Sequence, residues 1–525
     1  MKILLISEYT YLCTGYAAYY RQIAEALHNA GHQVAELASY GNPNIREHTE
    51  YARRCPWRVY LNVPHSNDKE SQRIYSQRES SSGDAKFGSW MFEQICLQEK
   101  PDIVISVRDY WYDRFITESP FHDCFTSILS PTVDTLPQKA DWLDAFHEAD
   151  YVTTYNEWSE SWLKQQYHCR NLMPFISPGF KQHSLISKEN ARKALGLPLD
   201  IKLVGTVMRN QNRKRFPELC AAVAQVDDLF LYCHTHYPDK GWDLPTLFAR
   251  YGIQNRVYMT YICENCHDVS HRLFNHRSFK CSKCGGNVIT ASVLKGLDEK
   301  GLRHLYSSFD LYLQPHNSEG FGIPTIEAAM CGVKVVSTDY SAQQDVIPKI
   351  DAIGVKPIAY DTEMKSLCNR AVIDIDGFVE ILKDPTTYQY DRISIANKAA
   401  ENYTEETCKE KWVKLVNLVE QNKVKNWEKP IDVRNIPEFQ ELAYLSNSEY
   451  IMWCITKVAQ EPNFIGSYTH LYFIDALNAG MVIPLSQNNE LGDKPMQITR
   501  KEVYNKFKSY RERYNQWELR RKSFS

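Results

Sequence analysis

The chain reads as an α/β protein built from two doubly wound domains, each a largely parallel sheet flanked by helices. Three observations predict this. Short apolar runs of strand length recur at residues 2–7, 33–37, 102–107, 125–129 and 151–155, and again at 201–208, 229–233, 256–260, 311–314 and 333–337. Amphipathic stretches of helical period, such as 16–29 and 187–195, lie between such runs. The alternation pauses at 174–179 and then restarts, which sets a boundary near residue 180.

Taken in order, residues 2–7 lead into a polar loop with Thr14-Gly15, a helical stretch 16–29, a stop at Gly31 and the next strand at 33–37. The later runs of the first half each end in polar or aromatic residues, at the strand ends where α/β domains bind ligands. The second half begins with a helix over 187–195 and repeats the pattern. Residues 404–420 form a last helical pattern with Trp412, Leu415 and Val419 on one face. The predicted organisation is 1–180 and 181–403 for the two domains, an insert at 261–289, a closing helix over 404–424 and an extension over 425–525. The end of that extension, from Arg500, interleaves Lys and Arg with Tyr504, Phe507, Tyr510, Tyr514 and Trp517.

Composition narrows the function classes. The 525 residues carry 61 Lys+Arg against 64 Asp+Glu, a formal charge of −3, too balanced for a purely electrostatic nucleic-acid coat. With 43% apolar and 24% charged residues the chain can bury full cores, which excludes disorder as the default. No apolar run reaches the length of a spanning helix, and Ser7 and Glu8 interrupt the apolar start, so a cytoplasmic protein with neither signal peptide nor membrane span is expected. The 15 cysteines are scattered through apparent core segments apart from one group of four, which suits reduced thiols and one metal site.

That group is Cys263-x2-Cys266 and Cys281-x2-Cys284, the second pair followed by Gly285-Gly286. Two such pairs have the spacing of a structural four-thiolate Zn²⁺ site, and a closed shell leaves no position for substrate. The polar residues between the pairs could not form a core, so the insert needs metal to fold. Its histidines His267, His271 and His276 are expected at the surface.

A second constellation is Glu319-Gly-Phe-Gly-Ile-Pro-Thr-Ile-Glu327, between the strand 311–314 and a helix. Gly320 and Gly322 let backbone approach an anion, and a helix start favours phosphate. Glu319 and Glu327 would accept from the hydroxyls of one ligand, a sugar nucleotide. Here the chain resembles retaining glycosyltransferases of the two-Rossmann-domain, GT-B type, in particular the family 4 group with its E-x7-E motif, over roughly residues 1–420. The resemblance implies two Rossmann-like domains facing a cleft, Glu319 on the transferred sugar and Glu327 on the nucleotide ribose. It also implies Gly320, Phe321 and Gly322 at the donor, Arg209 and Lys214 on the diphosphate, and Gly15 in the phosphate loop after the first strand. Thr14-Gly15 stands where many relatives have a glycine pair. Asp109 and Asp134 would face the acceptor or the sugar. His65 and His316 read first as structural histidines, and Asp374-x-Asp376 as a non-ligand pair, since Arg and Lys replace a catalytic metal in this fold.

The reaction implied is sugar transfer from a nucleoside diphosphate, UDP by default, to a hydroxyl with retention. The acceptor stays open among lipids, polysaccharides, small molecules and proteins. Three additions favour DNA: the insert's Arg272, Arg277, Lys280 and Lys283, the cluster Arg213-Lys214-Arg215, and the tail after Arg500. The best expectation is a hydroxymethylated pyrimidine base, as in bacteriophage DNA modification. The alternatives are a polysaccharide or surface-glycan precursor and, in another class, a non-catalytic sugar-nucleotide or nucleic-acid binding protein.

Overall fold

A computed structural model describes residues 1–423, 425 and 427, apart from 110, 111, 120, 123, 238, 240 and 276–278. The expected extension over 425–525, with its basic and aromatic end, lies outside the described residues except for Lys425 and Trp427.

The first sheet comprises β1 (Lys2–Glu8), β2 (Gln33–Ser39), β3 (Arg58–Leu61), β4 (Ile103–Val107), β5 (Thr126–Ser130) and β6 (Tyr151–Val152). All are parallel, in the order β3-β2-β1-β4-β5-β6. Ile3 pairs with Val34 on one side and Ile103 on the other, so β1 is central. Helices cover both faces, which is why Ile3, Leu4, Leu5 and Ile6 are all buried and the strand is apolar throughout rather than alternating.

The second sheet comprises β7 (Lys202–Val207), β8 (Leu229–His234), β9 (Val257–Cys263), β10 (Val269–Leu273), β11 (Val288–Thr290), β12 (Leu311–Gln314), β13 (Val335–Thr338) and β14 (Ile353–Val355). Its order is β10-β9-β8-β7-β12-β13-β14, with β11 also on β9. β10 and β11, the strands of the cysteine insert, run antiparallel to β9. β8 pairs with β9 only over Val257, Tyr258 and Met259, and β11 takes the vacated place at its carboxyl end, opposite Tyr261 to Cys263. The expected pair of doubly wound α/β domains is therefore present. A two-stranded hairpin, β15 (Ala359–Thr362) and β16 (Asn369–Val372), stands outside both sheets.

The helix Glu405–Gln421 returns from the second domain to the first. Trp412, fully buried, donates its Nε1–H to the Tyr19 hydroxyl at 2.9 Å, and Tyr19 donates onward to the Ile176 carbonyl at 2.6 Å. Lys409 reaches Glu25 on the helix Gly15–Asn29 at 3.2 Å. One contiguous core runs from Ile3 to Val419 through both domains. No helix among the described residues is long and apolar enough to cross a membrane.

The domains also meet along the cleft. Asn156 donates to the Gly320 carbonyl at 2.7 Å, the Trp158 N–H to Asp345 at 2.6 Å, and the Asn369 N–H to the Leu136 carbonyl at 2.7 Å. The arrangement is closed.

Candidate active site

Two helices start beside one another at the cleft. After β1 the chain turns through Thr14, whose extended backbone and side-chain acceptor to the Ala17 N–H cap the helix Gly15–Asn29. Opposite, Gly322 in the left-handed region (φ +87°) opens the helix Ile323–Met330, with Pro324 in its first turn. A Cβ on Gly15 would stand 3.1 Å from Ile323 Cδ1, so these amino termini are neighbours across the domain boundary. Their free N–H groups and dipoles make the space beside them favourable to an anion.

The cations gather next to it. Lys214, buried, contacts the Glu319 carboxylate, and Arg213 Nη1 lies 2.9 Å from Glu319 Oε2. Gln314 donates to the same carboxylate at 3.2 Å, and Ser341 and Glu319 exchange hydrogen bonds through the main chain of Glu319 at 2.9 Å. Burial, and after it the Arg213 charge, presses the Lys214 ammonium well below its ordinary range. Arg209 is half exposed at the carboxyl end of β7 and held by Asp239 at 2.9 Å. Glu327, on the helix Ile323–Met330, accepts from the Tyr306 hydroxyl at 2.6 Å, and burial raises its carboxyl pKa.

On the facing domain Asp109 accepts from the Tyr16 hydroxyl at 2.8 Å, and that hydroxyl is 2.9 Å from Thr132 Oγ1. Burial is the main cause that pushes Asp109 up to about 7; the charges of Asp134 and Glu8 add to it, while Tyr16 and Arg213 oppose it. Asp134 is instead part of the seam, 3.2 Å from Arg370 Nη1 and accepting from Ser318 Oγ at 3.1 Å.

Sequence reasoning missed several members of the cleft. Glu8, at the carboxyl end of β1, accepts from the Thr14 hydroxyl, and burial raises its pKa against the lowering pull of Arg209. Its signal was available: a lone carboxylate closing an apolar strand. Arg370 had none, because it lies on the β15–β16 hairpin, and its cleft partners Asp134 and Ser318 are distant in sequence.

Other residues singled out from the sequence lie at the seam, in the core or at the surface. Gly320 serves the seam: a Cβ there would stand 1.9 Å from Thr132 Cγ2 of the other domain. The Phe321 ring is packed in the core against Tyr155 and Tyr403, with centroids at 6.4 and 5.7 Å. His271 is not a surface residue. It bonds the Tyr232 hydroxyl at 2.5 Å, and burial lowers its pKa to about 4. His65 is exposed, His316 is fully buried, and Asp374 caps the helix Ile375–Lys383 by accepting from the Gly377 N–H at 3.0 Å.

The four cysteines meet at the end of β9. Cys263 and Cys284 Sγ are 3.4 Å apart, Cys266 and Cys281 Sγ 3.6 Å, and all four sulfurs lie within 4.8 Å of one another. A tetrahedral zinc–thiolate shell, with bonds of about 2.3 Å, needs sulfurs roughly 3.8 Å apart. Gly285, at φ +70°, supplies the left-handed turn after the second pair, and the Lys283 N–H donates to Cys281 Sγ at 3.4 Å. The donor set and its spacing fit Zn²⁺.

The comparisons agree with this fold. Residues 287–353, which contain Glu319 and Glu327, match the family model described as glycosyl transferases group 1. Sucrose-phosphate synthase from Thermosynechococcus elongatus is similar in structure, with TM-score 0.58 and 17% identity, over 80% of this chain and 100% of that one. Anabaena Alr3699/HepE, solved with UDP and glucose, gives 0.54 and 13% over 80% and 100%. WaaG, a glycosyltransferase involved in lipopolysaccharide biosynthesis, gives 0.52 and 12% over 79% and 99%. No curated protein matches the chain in sequence. The expectation of a glycosyltransferase is met at the level of this segment and of the GT-B fold.

Proposed function

We propose that the protein is a retaining glycosyltransferase that moves a hexosyl group from a UDP-sugar to a carbohydrate hydroxyl, extending a polysaccharide or surface-glycan precursor. The observation that carries this is the meeting of two helix amino termini, at Gly15 and Ile323, beside Arg209, Lys214 and Glu319. A diphosphate beside the helix starts gains from both dipoles and from Arg209 and Lys214, and the gain grows as the leaving group takes on charge. Glu319 holds the sugar's hydroxyls and Glu327 the ribose. Binding the donor shares Lys214 between Glu319 and phosphate.

In the reaction the bond from the anomeric carbon to the UDP oxygen breaks as the acceptor oxygen bonds that carbon on the same face. The acceptor's proton passes to the departing phosphate. Asp109 orients the acceptor hydroxyl, and Asp134, tied to Arg370, keeps the domains closed around it.

A DNA base is the weaker acceptor. Among the basic residues that argued for it, Lys283 pairs with Asp268 at 2.5 Å, Lys280 donates to Asn287 at 2.6 Å, and Arg272 lies over the Phe279 ring at 5.3 Å. Arg213 and Lys214 face Glu319, and Arg215 pairs with Glu218 and covers Trp242. Arg277 and the tail after Arg500 lie outside the described residues. HepE with UDP and glucose, and WaaG in lipopolysaccharide biosynthesis, favour the glycan reading. The test is nucleotide release from a panel of nucleoside diphosphate sugars with no acceptor, oligosaccharide acceptors, duplex DNA, and DNA carrying 5-hydroxymethylcytosine. Release from a UDP-sugar stimulated by an oligosaccharide, with a hexose mass added to it, is expected. Stimulation by the hydroxymethylated DNA alone would move the acceptor to DNA.

A further inference from the structure

The segment that leaves the four cysteines is bonded to the cleft in two places. Thr290, the last residue of β11, is buried; its hydroxyl accepts from the Tyr237 N–H at 3.1 Å and lies 3.2 Å from His236 Nδ1. Two residues beyond Tyr237 is Asp239, the partner of Arg209. That is one path, from β11 to the loop that holds the arginine.

The second path leads to the other domain. Past β11 the chain turns, the Ser292 N–H donating to the Lys295 carbonyl at 2.8 Å. Lys295 Nζ reaches back to the Glu264 carbonyl, inside the Cys263–Cys266 knuckle, at 2.5 Å. The same turn presents the Val293 carbonyl to the Cys13 N–H at 2.9 Å. Gly296 packs on Cys13 so closely that a Cβ there would stand 3.1 Å from Cys13 Cβ. Cys13 directly precedes Thr14, the cap of the helix whose start faces Ile323. The two paths thus end on the Asp239 loop, which holds Arg209, and on the Gly15 loop, the two sides of the proposed diphosphate site.

We propose that the metal-bound knuckle is a strap that sets donor affinity, holding Arg209 through Thr290 and the Asp239 loop, and the Gly15 loop through Lys295 and Val293. Thr290 and Lys295 are positioning residues that touch no donor atom. β11 spans three residues, too few to hold its place unaided; closure of the thiolate shell fixes the chain that enters it, and Lys295 ties the chain that leaves it to the Cys263–Cys266 knuckle. The inference rests on the nucleoside diphosphate donor proposed above.

The test uses the full-length protein and the variants Thr290→Val, Thr290→Ser and Lys295→Met. Zinc content, UDP binding by calorimetry and donor kinetics are measured for each. All should carry about one zinc per chain. Thr290→Val and Lys295→Met should raise the UDP dissociation constant and the donor KM about three- to tenfold while kcat changes less than about twofold, and Thr290→Ser should restore them. Stripping zinc from the wild type with a chelator, with the far-UV spectrum retained, should weaken UDP at least as much. Unchanged UDP affinity in both variants at full zinc would overturn the strap, and absence of zinc from all of them would overturn the metal. A wild type that binds zinc but no nucleoside diphosphate would instead overturn the donor reading.

Discussion

Glu319 is the residue on which most of the site converges, and its surroundings make its removal costly in two currencies. Glu319→Gln leaves Lys214 buried without its counter-charge, a loss of roughly 3–5 kcal/mol of stability. It also removes the acceptor for the sugar's hydroxyls, so turnover should fall at least about a hundredfold. Lys214→Met separates the two effects, since Arg213 still pairs with Glu319: kcat should fall comparably while thermal unfolding shifts less. A Lys214→Met enzyme with wild-type kcat would contradict the assigned role. Asp109 gives a pH signature. Its folded-state value of about 7 stands above the ordinary carboxyl value of 3.8, so the fold favours the protonated form. The stability this contributes is complete below about 4 and is lost as pH rises through about 7. The melting temperature of the wild type should therefore fall relative to that of Asp109→Asn between pH 5 and pH 8. A constant difference across that range would show that Asp109 is not perturbed.

At the scale of elements, the strands that carry the site were legible because they are buried on both faces and hence uniformly apolar: β1, β4, β7, β8 and β12 all stand where the runs predicted. β3 and β14 were not legible, being short edge strands, and neither was the β15–β16 hairpin, whose exposed residues carry no period-two pattern. The E-x7-E segment was legible as a turn and a helix start, but the purpose of Gly320 was not. Its lack of a side chain is demanded by Thr132, 188 positions earlier in the chain, and no local pattern encodes such a contact. That contact supplies a prediction. Gly320→Ala should force the domains apart and raise the donor KM about five- to a hundredfold, a clash costing about 1–3 kcal/mol. Thr132→Ser removes the offending Cγ2, so the double variant Gly320→Ala/Thr132→Ser should recover most of the loss. Additive effects in that cycle would place the defect elsewhere.

For the whole molecule, the closed arrangement is held by the returning helix around Trp412 and by the seam of Asp134, Ser318 and Arg370. The helix was readable from the spacing of Trp412, Leu415 and Val419; the seam was not, because its partners come from three separate stretches of chain. Arg370→Ala should loosen closure, seen as a larger radius of gyration by small-angle scattering in the absence of donor and a smaller one on adding UDP. An unchanged radius in both states would show that Arg370 does not hold the domains together. The central claim, that this cleft breaks and remakes a glycosidic bond on the same face of the sugar, is tested most directly by following UDP-sugar turnover, with oligosaccharide or with water as acceptor, by proton NMR of the first product formed. The account predicts release of UDP together with a product that keeps the donor's α-anomeric configuration before mutarotation. A first-formed β-anomer would contradict it.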